Sequence, residues 1–372
     1  MKKMVFLLYV IGVAMFLECS THKEYKTMTN NEIDGYFIVR YRIPYLDDTG
    51  TRTLLRDGVL KVFTIGTGEV EYYDLYKVLG LYYNFDAAHN VNTGEKISRL
   101  FFTPDRNYIA FSIYGTDSNG IRHPRNQFKT VQLNLKTGET QVVLLPEYCE
   151  PLSMPDEKTW LYLDYTLEKS EGKVFYKLWD MDTSMSRTIY TIADITKSES
   201  TPHNFNDFYD LQNRVLIFKN YYLDERNVYF YFEDEEKLEL CRFEPLWNIS
   251  MYNSNVIIKA NEEKGKKKIG SWYAYNLGTR EYIEFPFKSS VIYPIAENLF
   301  FFKEFMPVRN GLFLESTHYF KLGIYDSEKS QVVARWFDNR TSYDPHVPEF
   351  VPQINIPEQY KIDIGEFVVS TN

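Results

Sequence analysis

The chain is poor in cysteine, with only Cys19, Cys149 and Cys241 among its 372 residues. Closely spaced cysteine pairs would indicate a zinc site or a disulfide framework, and the sequence has no such pairs. Cys149 and Cys241 lie far apart in the chain. The sequence leaves open whether these two form a disulfide or stay as buried free thiols.

Motifs for catalysis and cofactor binding are also missing. There is no Gly-x-Ser-x-Gly elbow, no glycine-rich phosphate loop after a strand and no two-histidine helical metal motif. Residues 47–50 and 117–120 resemble fragments of calcium loops but lack the distal glutamate, so we interpret them as turns. The sequence therefore predicts no catalytic residues, no metal site and no cofactor.

Positive charge is in deficit, since 42 Lys and Arg stand against 51 Asp and Glu, for a net charge of −9. An acidic chain without a basic patch argues against nucleic acid as a partner. Long hydrophobic runs are equally scarce. After residue 17, no apolar run approaches the roughly 20 residues that a membrane-spanning helix needs.

The first residues have the layout of a secretory signal peptide. Lys2 and Lys3 are followed by the apolar run 4–17, and the chain becomes polar directly after Cys19. The apolar run is too short to span a bilayer comfortably, so an uncleaved N-terminal anchor is the lesser alternative.

Cys19 resembles the cysteine of bacterial lipoprotein signals, which becomes the lipidated first residue of the mature chain. The resemblance implies a signal peptide at 1–18, lipid attachment at Cys19 and a tether at 19–33 that holds the protein in the cell envelope. Whether it faces the periplasm or the cell surface stays open. Glu18 departs from the small residue usual before that cysteine. The alternative is therefore secretion after cleavage elsewhere.

The rest of the chain predicts an all-β fold. Aromatic residues make up 17% of the sequence, and they favour strands, where they cover a half-buried pleated surface. Short strand-like runs such as 36–41, 108–114 and 228–232 alternate with turn clusters of Gly, Asn, Asp and Ser. No long amphipathic helical stretch stands out.

Hairpin turns recur near residues 137, 183, 235, 278 and 327, a period typical of β-propeller blades. At the first of them, Thr137-Gly138 supplies the positive φ that a tight hairpin needs. We predict a single propeller over 34–337, with six blades and seven as the alternative. A β-sandwich or two smaller β domains would be the competing architecture.

The run Thr103-Pro104-Asp105-Arg106-Asn107, followed by the strand 108–112, resembles the Pro-Asp-Gly strand motif of WD-like repeats. Such repeats are found in TolB-like propellers of the bacterial envelope. Arg106 stands where the motif prefers glycine, and a second copy lies at 155–163. The resemblance implies a propeller in the envelope and transfers no activity, because propellers host unrelated functions.

The C-terminal segment 338–372 is rich in proline, which cannot donate a ladder hydrogen bond. We therefore expect an extended strap over the propeller, in which Phe350, Val351, Ile354 and Ile356 dock. We expect a closing strand at 360–369.

Two surface features are candidates for binding. The long polar loop 115–128 contains Arg122, His123 and Arg125, and long loops on a rigid scaffold often carry binding residues. The charged runs 224–226 and 233–237, which flank the strand 228–232, and the basic run 264–268 form either oppositely charged steering loops on a propeller face or simple solvated hairpin tips.

Two functions remain open from the sequence. The first is a non-enzymatic binding or scaffold module for an envelope protein or a glycan. The second is an envelope hydrolase or lyase for a glycan or peptide, with its site at the central channel. Carboxylates converging at the channel mouth with shifted pKa values would favour the enzyme.

Overall fold

The structure is a computed structural model. It describes residues 35–46, 53–65, 67, 69–81, 83–86, 91–116, 129–146, 149–192, 207–219, 227–242, 245–252, 254–264, 267–286, 291–295, 298–307, 318–338 and 349–362. These residues form six antiparallel sheets that follow one another along the chain. The fold is a six-bladed β-propeller, which confirms the all-β prediction and makes the seven-bladed and sandwich alternatives wrong.

The strands of each blade are consecutive in sequence. Blade 1 contains β1 (Tyr36–Leu46), β2 (Thr53–Thr64) and β3 (Val70–Asp74). Blade 2 contains β4 (Tyr83–Asp86), β5 (Val91–Phe102), β6 (Tyr108–Thr116), β7 (Lys129–Asn134) and β8 (Thr140–Leu144). Blade 3 contains β9 (Cys149–Ser153), β10 (Thr159–Asp164), β11 (Val174–Asp180) and β12 (Met185–Ile192).

The remaining blades have four strands each. Blade 4 contains β13 (Phe208–Asp210), β14 (Val215–Lys219), β15 (Val228–Phe232) and β16 (Lys237–Leu240). Blade 5 contains β17 (Pro245–Tyr252), β18 (Asn255–Lys264), β19 (Lys267–Asn276) and β20 (Tyr282–Glu284). Blade 6 contains β21 (Val291–Pro294), β22 (Leu299–Pro307), β23 (His318–Asp326) and β24 (Gln331–Asp338).

Helices in the described ranges are short. They are α1 (Leu75–Val78), α2 (Glu168–Glu171) and the 3-10 turns Glu233–Glu235 and Glu358–Tyr360. Within the same ranges, no helix has the length and apolar character needed to cross a bilayer.

One backbone hydrogen bond recurs in every blade and explains the sequence period. In each case the residue that follows the next-to-outermost strand of the blade donates its N–H to the carbonyl of the residue that precedes the adjacent inner strand. The six pairs are Ile65 to Gly35, Leu135 to Asn107, Met181 to Lys158, Glu233 to Arg214, Leu277 to Ser254 and Ser327 to Asn298, at 2.8–3.0 Å. The repeat is therefore a repeat of one turn geometry.

Two local devices shape the outer hairpin turns. An Asn or Asp at the end of the next-to-outermost strand accepts backbone N–H bonds from the turn, as at Asn134, Asp180, Asn276 and Asp326. A residue with positive φ then leads into the outer strand. These residues are Gly138 (75°), Ser184 (54°), Glu236 (48°), Arg280 (59°) and Ser330 (50°). The positive φ predicted for Thr137-Gly138 is confirmed at Gly138.

The core lies between neighbouring blades, where aromatic and branched side chains from facing sheets interdigitate. Its largest fully buried side chains include Trp160, Phe111, Phe218, Phe230 and Phe301. Cys149 and Cys241 are buried free thiols in this core, which decides the alternative that the sequence left open.

The ring is closed by β25 (Glu349–Val351), which pairs antiparallel with β1 through Phe350 opposite Phe37 and Val351 opposite Tyr36. It is the innermost strand of blade 1. Of the strand expected at 360–369, Lys361 forms an isolated antiparallel bridge with Tyr73 of β3, and the Ile362 N–H donates to the Tyr72 carbonyl at 2.7 Å. Residues 363–372 lie outside the described residues.

After β25 the chain runs as an extended strap between blades 1 and 2. Ile354 and Ile356 pack into the apolar cluster shared by these blades, with Phe350 and Val351 also buried. The Asn355 N–H donates to the Leu135 carbonyl at 2.8 Å. These contacts are the docking that the sequence predicted for this segment.

Candidate functional site

The residues that the sequence singled out for binding lie outside the described residues. These are Cys19 in the leader and Arg122, His123 and Arg125 in the loop 115–128. The charged runs are described in part. One end of the ring carries the turns that directly precede β6, β10, β14, β18 and β22, and it is here called the turn end. The acidic turn after β15 lies at this end. The basic hairpin between β18 and β19 lies at the opposite end, so these two runs do not share a face. The second acidic run, 224–226, lies outside the described residues.

An open polar depression lies at the turn end, with a volume of about 530 Å³. It is formed by turns from blades 2, 3, 4 and 5, so it collects residues that are distant in sequence. Residues on its wall include Asp105, Asp156, Asp210, Gln212, Asn213 and Asn255.

The three carboxylates of the depression serve their own turns. Asp156 accepts the backbone N–H groups of Lys158 and Thr159 at 2.9 and 2.7 Å. Asp105 accepts from the Asn107 N–H at 3.0 Å and from a threonine hydroxyl. Asp210 accepts two backbone N–H groups and the side-chain amide of Asn213. Their role is that of Asx-turn acceptors.

Arg106 reaches across the ring beside this depression. Its side chain is buried, and Nη2 donates to the Met251 carbonyl of β17 at 3.4 Å. Blades 2 and 5 stand opposite each other in a ring of six, so this contact crosses the central axis. The guanidinium also lies 4.9 Å from the centroid of the Phe102 ring. Arg106 has φ of 59°, the conformation for which the motif prefers glycine.

A charged cluster joins blades 3 and 4 at the turn end. Glu233 occupies the recurring turn position that is apolar in blades 1, 2, 3 and 5, and it is only 17% exposed. It accepts hydrogen bonds from Arg187, Arg214 and the Tyr209 hydroxyl. Burial alone would raise the pKa of Glu233, but these three donors outweigh burial and lower it. Neither a steering loop nor a solvated tip describes Glu233, and no local sequence pattern indicates this contact between blades.

A second group of charges lies toward the opposite end of the inner strands. Arg99 and Glu150 form an ion pair at 2.7 Å between blades 2 and 3, and Lys177 pairs with Asp164 at 2.6 Å. Burial raises the pKa of the neighbouring Cys149 thiol to about 12, so this thiol is not a nucleophile at neutral pH.

Asp207 is the most unusual carboxyl in the described chain. It has no exposed surface, and its hydrogen-bond donors are the Tyr176 hydroxyl at 2.8 Å and the Lys219 backbone N–H at 3.1 Å. Burial raises its pKa to about 7, although both donors oppose that shift. Sequence reasoning missed Asp207, because an aspartate before a strand looks like an ordinary turn residue.

Metal ligation has no support in the part of the chain that the structure describes, since it contains no group of three or more His, Cys, Asp or Glu side chains placed to hold an ion. The depression therefore presents hydrogen-bonding groups of turns and amides, without a metal or an activated nucleophile among the described residues.

No protein-family model matches the chain, and no curated protein matches it in sequence. Solved structures are similar in fold. TolB from Acinetobacter baumannii is 11% identical with a TM-score of 0.43, over 86% of this chain and 65% of TolB. The β-propeller domain of the Trilobed protease from Pyrococcus furiosus is 14% identical with a TM-score of 0.39, over 64% and 70% of the two chains.

Oligogalacturonate lyase in complex with manganese is 11% identical with a TM-score of 0.38, over 81% of this chain and 85% of the lyase. The chain spans 65% of the length of TolB. The six antiparallel sheets of this chain confirm the expected propeller. Likeness at these identities concerns the fold and carries no activity.

Proposed function

We propose that the protein is an exported, membrane-anchored propeller that acts as a non-enzymatic binding or scaffold module in the bacterial cell envelope. The proposal rests on one observation, which is that each carboxylate of the turn-end depression accepts hydrogen bonds from its own turn. Asp105, Asp156 and Asp210 are all engaged by their own turns, so the depression offers recognition groups rather than an acid–base pair.

A hydrolase or lyase at the channel has less support. General acid–base catalysis needs a carboxyl with a shifted pKa within hydrogen-bond reach of a substrate. Asp207 has the shifted pKa, but its side chain has no exposed surface. The Arg106 side chain also crosses the ring axis at the turn end. We therefore propose a binding function.

The chemistry of the depression suits a neutral, hydroxyl- or amide-rich ligand, such as a glycan or an extended peptide backbone. Gln212 is exposed on its wall, beside the partly exposed Leu211. Amide groups donate and accept hydrogen bonds, and a neighbouring aliphatic side chain covers the apolar face of a sugar or a peptide side chain.

The proposed localisation in the cell envelope is inferred from the hydrophobic leader. Mass spectrometry of the N-terminus of the native protein tests it, and diacylglycerol on Cys19 is the expected result. An intact Met1, or a mature chain with unmodified Cys19, would contradict the anchor and leave the binding function to its own test.

The binding function is tested by calorimetric titration of a panel of envelope polysaccharides and extended peptides. Saturable binding that weakens at least tenfold in the double variant Leu211→Ala/Gln212→Ala is expected. Leu144→Ala, on the outer strand of blade 2 with 72% exposure, is the matched control and leaves binding unchanged. Turnover of a panel member that disappears in a variant of a depression carboxylate, such as Asp156→Asn, would overturn the proposal.

A further inference from the structure

The junction between blades 3 and 4 is held at its two ends by carboxyl groups. At the turn end, Glu233 from blade 4 contacts Arg187 from blade 3. Toward the opposite end, Asp207 at the start of blade 4 accepts the Tyr176 hydroxyl of blade 3. Carboxyl groups also cross the neighbouring junctions, but as ion pairs, Glu150 with Arg99 between blades 2 and 3 and Glu235 with Arg280 between blades 4 and 5.

The two carboxyl groups have opposite surroundings. Glu233 is partly exposed and faces two guanidinium groups, so its charge is compensated. Asp207 is fully buried, and among the described residues both of its hydrogen-bond donors are neutral groups. A carboxylate without exposed surface is costly unless a charge or several strong donors compensate it.

The charged groups around Asp207 compensate its charge only in part. Lys219, on β14, donates through its backbone N–H, and the positive charge of its ammonium group favours ionisation of Asp207. Burial outweighs this effect and also lowers the pKa of that ammonium group. Glu150, on β9, adds a negative charge that further disfavours ionisation. Tyr176, on β11, is a neutral hydroxyl. The neutral acid is thus the form of Asp207 that suits this packing.

We propose that the blade 3–4 junction is a proton-sensitive switch, in which Asp207 holds the two blades together as a neutral carboxylic acid and loosens their contact when it loses its proton to solvent. A neutral carboxyl exchanges hydrogen bonds with the Tyr176 hydroxyl in either direction. The ionised carboxylate is stabilised by hydration, and water reaches it only if β11 and β14 separate. Glu233 keeps its charge throughout and maintains the turn end of the junction.

Infrared difference spectra of the full chain between pH 6 and pH 8 report the proton directly. The expected result is loss of one protonated-carboxyl band with a midpoint near pH 7, and absence of that band in Asp207→Asn. Absence of the band in the unaltered protein would overturn the proposal whether or not the variant folds.

Hydrogen exchange of the strands 174–180 and 215–219 reports the loosening. After correction for the intrinsic pH dependence of exchange, we expect at least a fivefold faster exchange at pH 8 than at pH 6. Asp207→Asn, which stays neutral, should show no such rise. Asp164→Asn, a variant of a paired carboxylate on blade 3, is the matched control and should keep it. An equal rise in Asp207→Asn and the unaltered protein would overturn the switch.

Discussion

The Arg106 guanidinium of blade 2 donates a hydrogen bond to the Met251 carbonyl of blade 5, on the opposite side of the ring. A single side chain therefore bridges the ring axis at the turn end. The same residue takes a positive φ at the position where the repeat motif prefers glycine. Backbone strain is accepted at this position while the side chain joins two blades that share no strand pairing.

Replacement of Arg106 separates these two effects. Arg106→Ala loses the buried guanidinium contact and keeps the unfavourable φ, so it should lower the free energy of unfolding by about 2–3 kcal/mol. Arg106→Gly loses the same contact but relieves the backbone, and should be more stable than the alanine variant by about 1 kcal/mol. Urea unfolding measures both. Equal stability of the two variants would contradict the strain at this position.

Glu233 should contribute to stability with a definite pH dependence. Its pKa in the folded chain lies below the ordinary value, so its contribution is present above the unfolded pKa and is lost as the pH falls through the folded pKa. Glu233→Gln should lower the free energy of unfolding by about 1–2 kcal/mol at neutral pH. The variant should also lose less stability on acidification than the unaltered protein. Parallel pH profiles for the two proteins would contradict this role.

Gly138 should be intolerant of a side chain for two reasons. It has φ of 75°, and a Cβ there would lie 2.2 Å from the carbonyl oxygen of Asn355 in the strap. Gly80 has a comparable φ of 61° but nothing within 4 Å of its Cβ position. Gly80→Ala should therefore cost about 1 kcal/mol from the backbone alone, and Gly138→Ala distinctly more. Thermal unfolding compares them, and an equal loss would mean that the strap shifts freely.

The two core thiols should be inert in the native chain. Cys149 and Cys241 are buried, and burial raises the pKa of Cys149 to about 12, so its thiolate is scarce at neutral pH. Ellman's reagent should modify neither thiol in the native protein and both after denaturation. Rapid native labelling at Cys149 would contradict its placement in the core.

Features that depend only on residues adjacent in the sequence were predictable. Aromatic strands, Asx turns at residues such as Asn134 and the positive φ at Gly138 all follow from local steric and hydrogen-bonding preferences. The period was predictable for the same reason, because each repeat encodes one turn geometry. The carboxylates of the depression were visible only as turn residues, since nothing local shows which turns meet.

The sequence by itself determined the class of the fold, the spacing of the blades and the hydrophobic leader with Cys19. Only the tertiary structure decided that three residues, Glu349–Val351, close the ring, and that Arg106 reaches Met251 across it. The same is true of the burial of Asp207 against Tyr176. These contacts join residues that are remote in the chain. The free energies of these contacts depend on which blades face each other, and no local pattern of residues specifies that arrangement.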